Sequence, residues 1–236
     1  MLPRILEPEV MDTAEEARDY DAMDHAAVNR AFAADFLSLL QGSPLAARLA
    51  GAGDPLRILD VGTGTALIPI EICRTFRLDG ATLPVRITAI DLAGEMLKLA
   101  ERNVRDAGLA DRVQLEPADA KRLPYGDGSF DAVISNSIVH HIPEPVDVLR
   151  EMRRVLRPGG VSLVRDLLRP PDAVTLERLV STHAGGETAH AQQMFRDSLH
   201  AALTIDEVRR LLEDVGFPPE WVRRTTDRHW TAAGVV

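Results

Sequence analysis

The sequence predicts an α/β fold: a doubly wound, mostly parallel seven-stranded sheet with helices on both faces and an antiparallel C-terminal edge strand. Three observations carry this expectation. Five short apolar runs between residues 56 and 167 alternate with segments of helical spacing or turn-forming composition. Apolar strands joined by helical crossovers make a parallel sheet that is covered on both faces. Residues 221–233 (WVRRTTDRHWTAA) then read as two short strands joined at Thr226-Asp227, which adds an antiparallel edge.

Residues 1–20 are polar and acidic, with Pro3 and Pro8. From Ala22 to Gln41, residues Met23, Val28, Phe32, Phe36, Leu39 and Leu40 recur at helical spacing and make one apolar stripe, which Gly42 ends. A shorter helix is expected over Pro44–Ala50, ended by Gly51-Ala52-Gly53. Leu56–Val61 is strand one. Ala66–Phe76 is helical, with Pro69 close to its first turn, where a missing N–H costs least. Val85–Asp91 is strand two, Ala93–Ala107 a helix stopped by Gly108, and Arg112–Glu116 strand three. Phe130–Asn136 is strand four. A helix over Pro145–Leu156 ends at Arg157-Pro158-Gly159-Gly160, and Val161–Leu167 is strand five. Beyond Pro170-Pro171 helices are expected over Ala173–Ala184 and Ala189–Leu203. Thr204-Ile205-Asp206-Glu207 is a capped start to a last helix that Gly216 ends.

Composition narrows the function. The 236 residues are 45% hydrophobic, enough for a sizeable core, and only 4% aromatic, so aliphatic side chains build it. The formal net charge is −9, and each short basic pair (Arg153-Arg154, Arg209-Arg210, Arg223-Arg224) has acidic neighbours. A nucleic-acid partner is therefore not expected, because binding phosphates needs a basic footprint. Cys73 is the single cysteine and is expected to be a small core residue. No apolar run approaches the ~18 residues of a membrane span, and the N-terminus shows no leader pattern. A soluble, cytoplasmic protein without membrane partners is expected.

Strand one delivers the chain to Asp60-Val61-Gly62-Thr63-Gly64 at the carboxyl edge of the sheet, where open α/β folds bind ligands. Two glycines there clear a floor against which a ligand can press, beside the free N–H groups of a helix expected to start near Thr65. The stretch has no Gly-Lys-Ser/Thr, so it is not a P-loop. It also lacks the third glycine of the dinucleotide fingerprint, since the sixth position from Gly62 is Leu67. The acid two residues before the first glycine resembles the first motif of the Rossmann-type (class I) S-adenosylmethionine-dependent methyltransferases. Four further stretches resemble later motifs of that family, in order: ITAIDLAGEML (87–97), EPADAKRLPYGDGSFD (116–131), AVISNSIVHHI (132–142) and LREMRRVLRPGG (149–160). The resemblance covers residues 56–167 and is nearest to the small-molecule enzymes of the ubiquinone and menaquinone biosynthesis type.

The resemblance implies S-adenosylmethionine as cofactor and a small molecule as methyl acceptor. It places the cofactor against Asp60, Gly62, Thr63 and Gly64 after strand one, Asp91 and Leu92 after strand two, Asp119 and Ala120 after strand three, and Asn136 at the end of strand four. Asp91 would accept from the ribose diol, with capping of the next helix a compatible role. Asp119 would accept from the adenine amino group, and Asp60 would stand near the methionine ammonium. Ser135 and Asn136 would lie beside the sulfonium methyl. Where many members of the family carry a third glycine, this chain has Ala66, a small helix-favouring residue.

His140 and His141 follow strand four and are the candidate bases, one of them at most acting. No spacing around them matches a metal site, so no metal is expected. Tyr20, Asp21, Asp24 and His25 form a polar cluster, from which Tyr20 and His25 are expected to close over the cofactor. Residues 183–196, with His183, His190, Gln192, Gln193, Phe195 and Arg196, are expected to set the acceptor, and Arg165 and Asp166 to line the pocket. The chain would thus comprise an N-terminal helical lid (1–55), the cofactor-binding core (56–167), and a C-terminal part with a helical cap, the last helix and the antiparallel strands (168–236). Two alternatives stay open: a protein of this fold that binds the cofactor without turnover, and a nicotinamide-dependent oxidoreductase.

Overall fold

The computed structural model describes all residues except 11, 23, 24, 53, 79 and 80, together with the backbone but not the side chains of 22, 49–52, 77–78 and 81–82. Met23 of the apolar stripe, Asp24 of the polar cluster and Gly53 of the helix stop lie outside the described residues. The elements run α1 (Ala14–Ala22), α2 (Ala26–Gln41), α3 (Pro44–Ala52), β1 (Leu56–Val61), α4 (Leu67–Thr75), β2 (Arg77–Leu78), β3 (Ala81–Thr82), β4 (Val85–Asp91), α5 (Gly94–Asp106), β5 (Val113–Pro117) and β6 (Phe130–Asn136). After a 3₁₀ turn at Val139–His141 come α6 (Pro145–Val155), β7 (Leu156–Leu167), α7 (Ala173–Ala184), α8 (Ala189–Ala201), α9 (Ile205–Val215), β8 (Val222–Arg224) and β9 (His229–Val235).

The main sheet has seven strands in the order β5-β4-β1-β6-β7-β9-β8. β5, β4, β1, β6 and β7 are mutually parallel, and β9 and β8 add an antiparallel edge, as the sequence predicts. Strand residues divide by alternation between two cores. On one face Ile58, Ile87, Ile134 and Leu163 pack under Phe32 and Phe36 of α2, Ile72 of α4 and Val104 of α5. On the other, Leu59, Ile90, Val133 and Val164 pack under Leu149 and Met152 of α6, Leu212 of α9, and Trp230. A doubly wound sheet is buried on both sides, which is why its strands read as continuous apolar runs.

The departures from expectation have local causes. The helix expected from Ala22 begins at Ala26, and a separate helix α1 precedes it. α1 lacks an apolar stripe, yet Thr13 and Glu16 form a reciprocal cap: Glu16 N–H donates to Thr13 Oγ1, and Thr13 N–H donates to Glu16 Oε2, both at 3.2 Å. α3 continues through Gly51 to Ala52. The expected turn at 157–160 lies inside β7, as a register shift in which Phe130 faces Leu156 and Ala132 faces Val161, with Gly159 at φ 75°. The β2–β3 hairpin was too short to show a period. α9 starts in the expected capping box of Thr204 and Glu207 and ends at left-handed Gly216. Cys73 is buried and free.

Phe36 is fully buried and meets Phe76 with ring centroids 5.2 Å apart, joining α2 to the end of α4. Phe36→Ala is expected to lower unfolding free energy by about 3–5 kcal/mol, measured by urea denaturation.

Candidate active site

β1 is where the strand order reverses: from it the chain winds to β4 and β5 on one side and, later, to β6 and β7 on the other. Loops leaving the carboxyl ends of such strands diverge and leave a crevice. A cavity of about 820 Å³, its open mouth included, lies there. Its walls are the glycine loop after β1, the tip of β4, the loop after β5 and the end of β6, and Glu9, Val10 and Tyr20 cover it. A smaller cavity adjoins it through Tyr20, Gly62 and Asn136, lined also by Asp60, Thr63 and Thr65. Eleven of the twelve expected residues therefore line one cavity or the other: Tyr20, Asp60, Gly62, Thr63, Gly64, Asp91, Leu92, Asp119, Ala120, Asn136 and His141; His140 does not.

The glycine loop corrects the expected reason for its glycines. Gly62 has φ 73° and Gly64 φ 55°, so both adopt a left-handed backbone that other residues resist. A Cβ on Gly62 would fall 2.1 Å from Cγ2 of Ile138, so the space it leaves is filled by that side chain and not kept open for a ligand. The Gly62 and Thr63 amides both donate to Ile90 O at 2.9 Å, so they are already engaged. Helix α4 starts at Leu67, and Ala66 precedes it at φ 62°, fully buried. Its helix preference is therefore not what matters. A non-glycine residue held left-handed costs on the order of 1–2 kcal/mol.

Asp91 ties the tip of β4 to this loop. Its Oδ2 accepts from Gly64 N–H at 2.8 Å and its Oδ1 from Ala93 N–H at 2.9 Å. The cap position of α5 is Ala93, so Asp91 supports the helix entry from two residues upstream. Burial raises the Asp91 carboxyl from its ordinary value, and these backbone donors offset part of the rise. Leu92 is exposed at the rim. Asp119 accepts from Lys121 N–H at 2.9 Å and keeps 42% of its side chain exposed. Ser135 is buried and donates to Val61 O at 2.8 Å, which closes the base of the crevice between β6 and β1.

Asp60 is 2% exposed, and burial pushes its carboxyl up to about 7. Asp60 Oδ2, Thr63 Oγ1, Thr65 Oγ1 and Asn136 Oδ1 are buried and have no hydrogen-bond partner. Tyr20 covers the loop from α1, with its Cε1 3.7 Å from the Cβ position of Gly64, and burial beside Asp91 and Asp60 pushes its phenol up to about 12. His25 lies behind it, its ring 4.5 Å from that of Tyr20 and its Nε2 2.9 Å from Tyr20 O, and does not itself line the cavity. Asp21 turns away to Asn103 of α5 at 2.9 Å.

His140 is buried, with Nδ1 2.5 Å from Asp166 Oδ1. The pair shifts apart, His140 upward and Asp166 downward, because each charge favours the other against the cost of burial. His141 stacks on it at 4.2 Å, and burial lowers that imidazole to about 3, so it stays neutral. Glu7 reaches both rings from the N-terminal segment. Asp166 therefore serves His140 instead of lining the cavity. Arg165 is likewise buried away from it, bonded to Thr231 at 2.9 Å and Asp35 at 2.5 Å. None of residues 183–196 lines either cavity: His183 pairs with Asp227, Gln192 donates to Glu187 O, Gln193 bonds Asp197, and Arg196 pairs with Glu177. Phe195 packs on the α7–α8 core, and His190 is exposed. The residues that sequence reasoning missed, Glu7, Glu9, Val10 and Ile138, belong to an N-terminal segment without periodicity and to the turn after β6.

A raised carboxyl makes stability fall as pH rises from the unfolded value of about 4 to the folded value, because the folded state holds the proton more tightly. Above that range the full cost of burying the ionised Asp60 is present. The stability of Asp60→Asn relative to wild type is expected to grow by about 2–3 kcal/mol between pH 5 and pH 8, measured by urea denaturation of the ligand-free protein.

Comparison with known proteins agrees with this geometry. The family model described as a methyltransferase domain matches residues 59–164. The 27-O-demethylrifamycin SV methyltransferase of Amycolatopsis mediterranei is 32% identical over 194 residues, 79% of this chain and 65% of that protein. The ubiquinone/menaquinone biosynthesis C-methyltransferase UbiE of Geotalea daltonii is 34% identical over 116 residues, 48% of this chain and 46% of its own length. The match thus spans about two thirds of the first relative and under half of the second. The crystal structure of a SAM-dependent methyltransferase from Aquifex aeolicus superposes with a TM-score of 0.58 at 16% identity, over 95% of this chain and 98% of that one, and shares the fold. The resemblance read from the five motifs is borne out: residues 59–164 match the methyltransferase-domain family, and the relatives that the chain resembles are methyltransferases.

Proposed function

We propose that the chain transfers the methyl group of S-adenosylmethionine to a small-molecule acceptor and releases S-adenosylhomocysteine. The observation that carries this reading is the pair of carboxylates at the crevice, buried Asp60 with an unpartnered Oδ2 and half-buried Asp91 at the tip of β4. They fit a ligand with an ammonium at one end and a ribose diol at the other. An unpaired acid inside a protein is costly, and a cationic ligand removes that cost. Asp91 uses one lone pair on each oxygen for Gly64 and Ala93, and a carboxylate has further acceptor sites for two hydroxyls. Gly62, Thr63, Gly64 and Leu92 form the adjoining wall, Asp119 and Ala120 receive the base, and Asn136 stands where the reacting end would lie. Tyr20 closes over the loop and excludes water.

Bound S-adenosylmethionine supplies a methyl already activated on a sulfonium, so the chain's part is alignment for in-line displacement. His141 at the cavity wall, with His140 behind it, stands at the acceptor end, and one of the two takes the acceptor's proton where the acceptor carries one. The named relatives include a 27-O-demethylrifamycin and a C-methyltransferase, so the family resemblance supports a small molecule without choosing the acceptor atom. The N-terminal helices act as a lid over the core, and the segment after β7 as a cap.

Calorimetric titration tests the reading with S-adenosylmethionine and, separately, NADH. Saturable binding of the first, weakened at least tenfold in Asp91→Ala, is the expected result. Binding of NADH alone, or of neither, overturns it. Release of S-adenosylhomocysteine with candidate hydroxyl, amine and carbon acceptors separates an enzyme from a protein that only binds the cofactor.

A further inference from the structure

We propose that Glu7, His140 and His141 form a binding site for one divalent transition-metal ion of the zinc type, with Asp166 holding the His140 imidazole in place. The geometry comes first. Glu7 Oε1 lies 3.4 Å from His140 Nε2 and 3.2 Å from His141 Nδ1, and the three ligand atoms all lie within 4.8 Å of one another. A tetrahedral ion with bonds of about 2.1 Å has neighbouring ligands about 3.4 Å apart. The two shorter separations match that spacing, and the stacked rings turn about their side-chain bonds to bring the lone pairs onto one ion.

The hydrogen-bond pattern then fixes what each atom offers. His140 Nδ1 is bonded to Asp166 Oδ1, so the ring keeps that proton and offers Nε2 to an ion when it gives up its second proton. His141 stays neutral, and its buried Nδ1 has no hydrogen-bond partner, so Nδ1 is the nitrogen free to face an ion. Nδ1 is then a second lone pair. Glu7 Oε1 is the third, also buried and also without a hydrogen-bond partner. Without an ion the proton of His140 stands between these acceptors, and a metal ion takes its place on binding. Imidazoles whose far nitrogen is held by a carboxylate or a carbonyl are the usual arrangement around a bound metal. Two imidazoles with one carboxylate suit zinc and its first-row neighbours rather than calcium or magnesium, which prefer oxygen alone.

The spacing of the histidines hides this site in the sequence, because the third ligand arrives from the N-terminal segment. Arg4 clamps that segment by donating to the carbonyls of His140, Ile142 and Ala201 at 2.8–3.2 Å, and Ser198 donates to Glu7 Oε2 at 3.2 Å. His141 lines the large cavity, so an ion bound here stands at its wall with a fourth position free. That position suits an oxygen on the acceptor, and the ion then replaces the imidazole base as the group that prepares it. This use of the ion rests on the proposed methyl transfer; the binding of the ion does not.

Calorimetric titration of chelator-treated full-length protein with zinc chloride, in a buffer that does not bind metal, tests the site. One ion per chain is expected, with affinity at least 30-fold weaker in Glu7→Gln and in His141→Ala, and 10–100-fold weaker in Asp166→Asn. Zinc is expected to raise the melting temperature of wild type and not that of Glu7→Gln. Circular dichroism of each variant shows that it is folded, and Glu7→Gln, in the N-terminal segment, leaves the sheet intact. No saturable binding, or wild-type affinity in both Glu7→Gln and His141→Ala, overturns the proposal and leaves a protonated His140 shared between Asp166 and Glu7. Titration of the same samples with S-adenosylmethionine keeps the two readings apart: zinc without cofactor binding overturns the methyltransferase reading alone, and cofactor without zinc overturns the metal site alone.

Discussion

β1 is hydrogen-bonded in parallel to β4 on one side and to β6 on the other, with Asp60 opposite both Ala89 and Ile134. The rest of the site depends on that register. It brings the carboxyl ends of three strands to one edge, so that Asp60, Asp91 and Asn136 meet although they are far apart in the chain. A slip by one residue would exchange the faces of β1, carrying Ile58 and Leu59 into the wrong cores. The two-sided burial that makes the sheet stable thus also fixes where the acids point.

The edge departs from what stability alone would choose. Asp60 is buried with one oxygen unpartnered, and Ala66 and Ser137 hold left-handed backbones without being glycine, at φ 62° and 60°. Costs of this kind persist where the surrounding structure enforces them, and they cluster at sites that act on ligands. Here the two cores beneath supply the enforcement: Leu59 and Val61 of β1 and Ile134 of β6 are wholly buried. Gly62 shows the same economy, since its missing side chain makes room for Ile138 and lets the turn after β6 close against the turn after β1.

The N-terminal segment is joined to the core by polar contacts rather than by a large apolar face. Arg4 meets carbonyls of the turn after β6 and of α8, Glu7 meets the histidines, Glu9 pairs with Lys121, and Asp12 accepts from Glu95 N–H. Among the described residues no helix is long and apolar enough to cross a membrane.

Local chemistry made much of the protein legible. Apolar runs, glycine stops and the Thr204–Glu207 box located the strands and most helices, because each signal lies within a few residues of the structure it sets. The glycine loop and Asp91 were legible for the same reason: a strand, a tight turn and a helix occupy one continuous stretch. Helix α1 was missed because its cap, Thr13 with Glu16, stands without an apolar stripe. What only the tertiary structure decided concerns atoms distant in sequence. Ile138 fills the space beside Gly62, Asp166 turns inward to His140, residues 183–196 line neither cavity, and Glu7 crosses to the histidines. No spacing rule reaches these, because they follow from how the chain's ends fold back over a sheet edge whose register the core has already set.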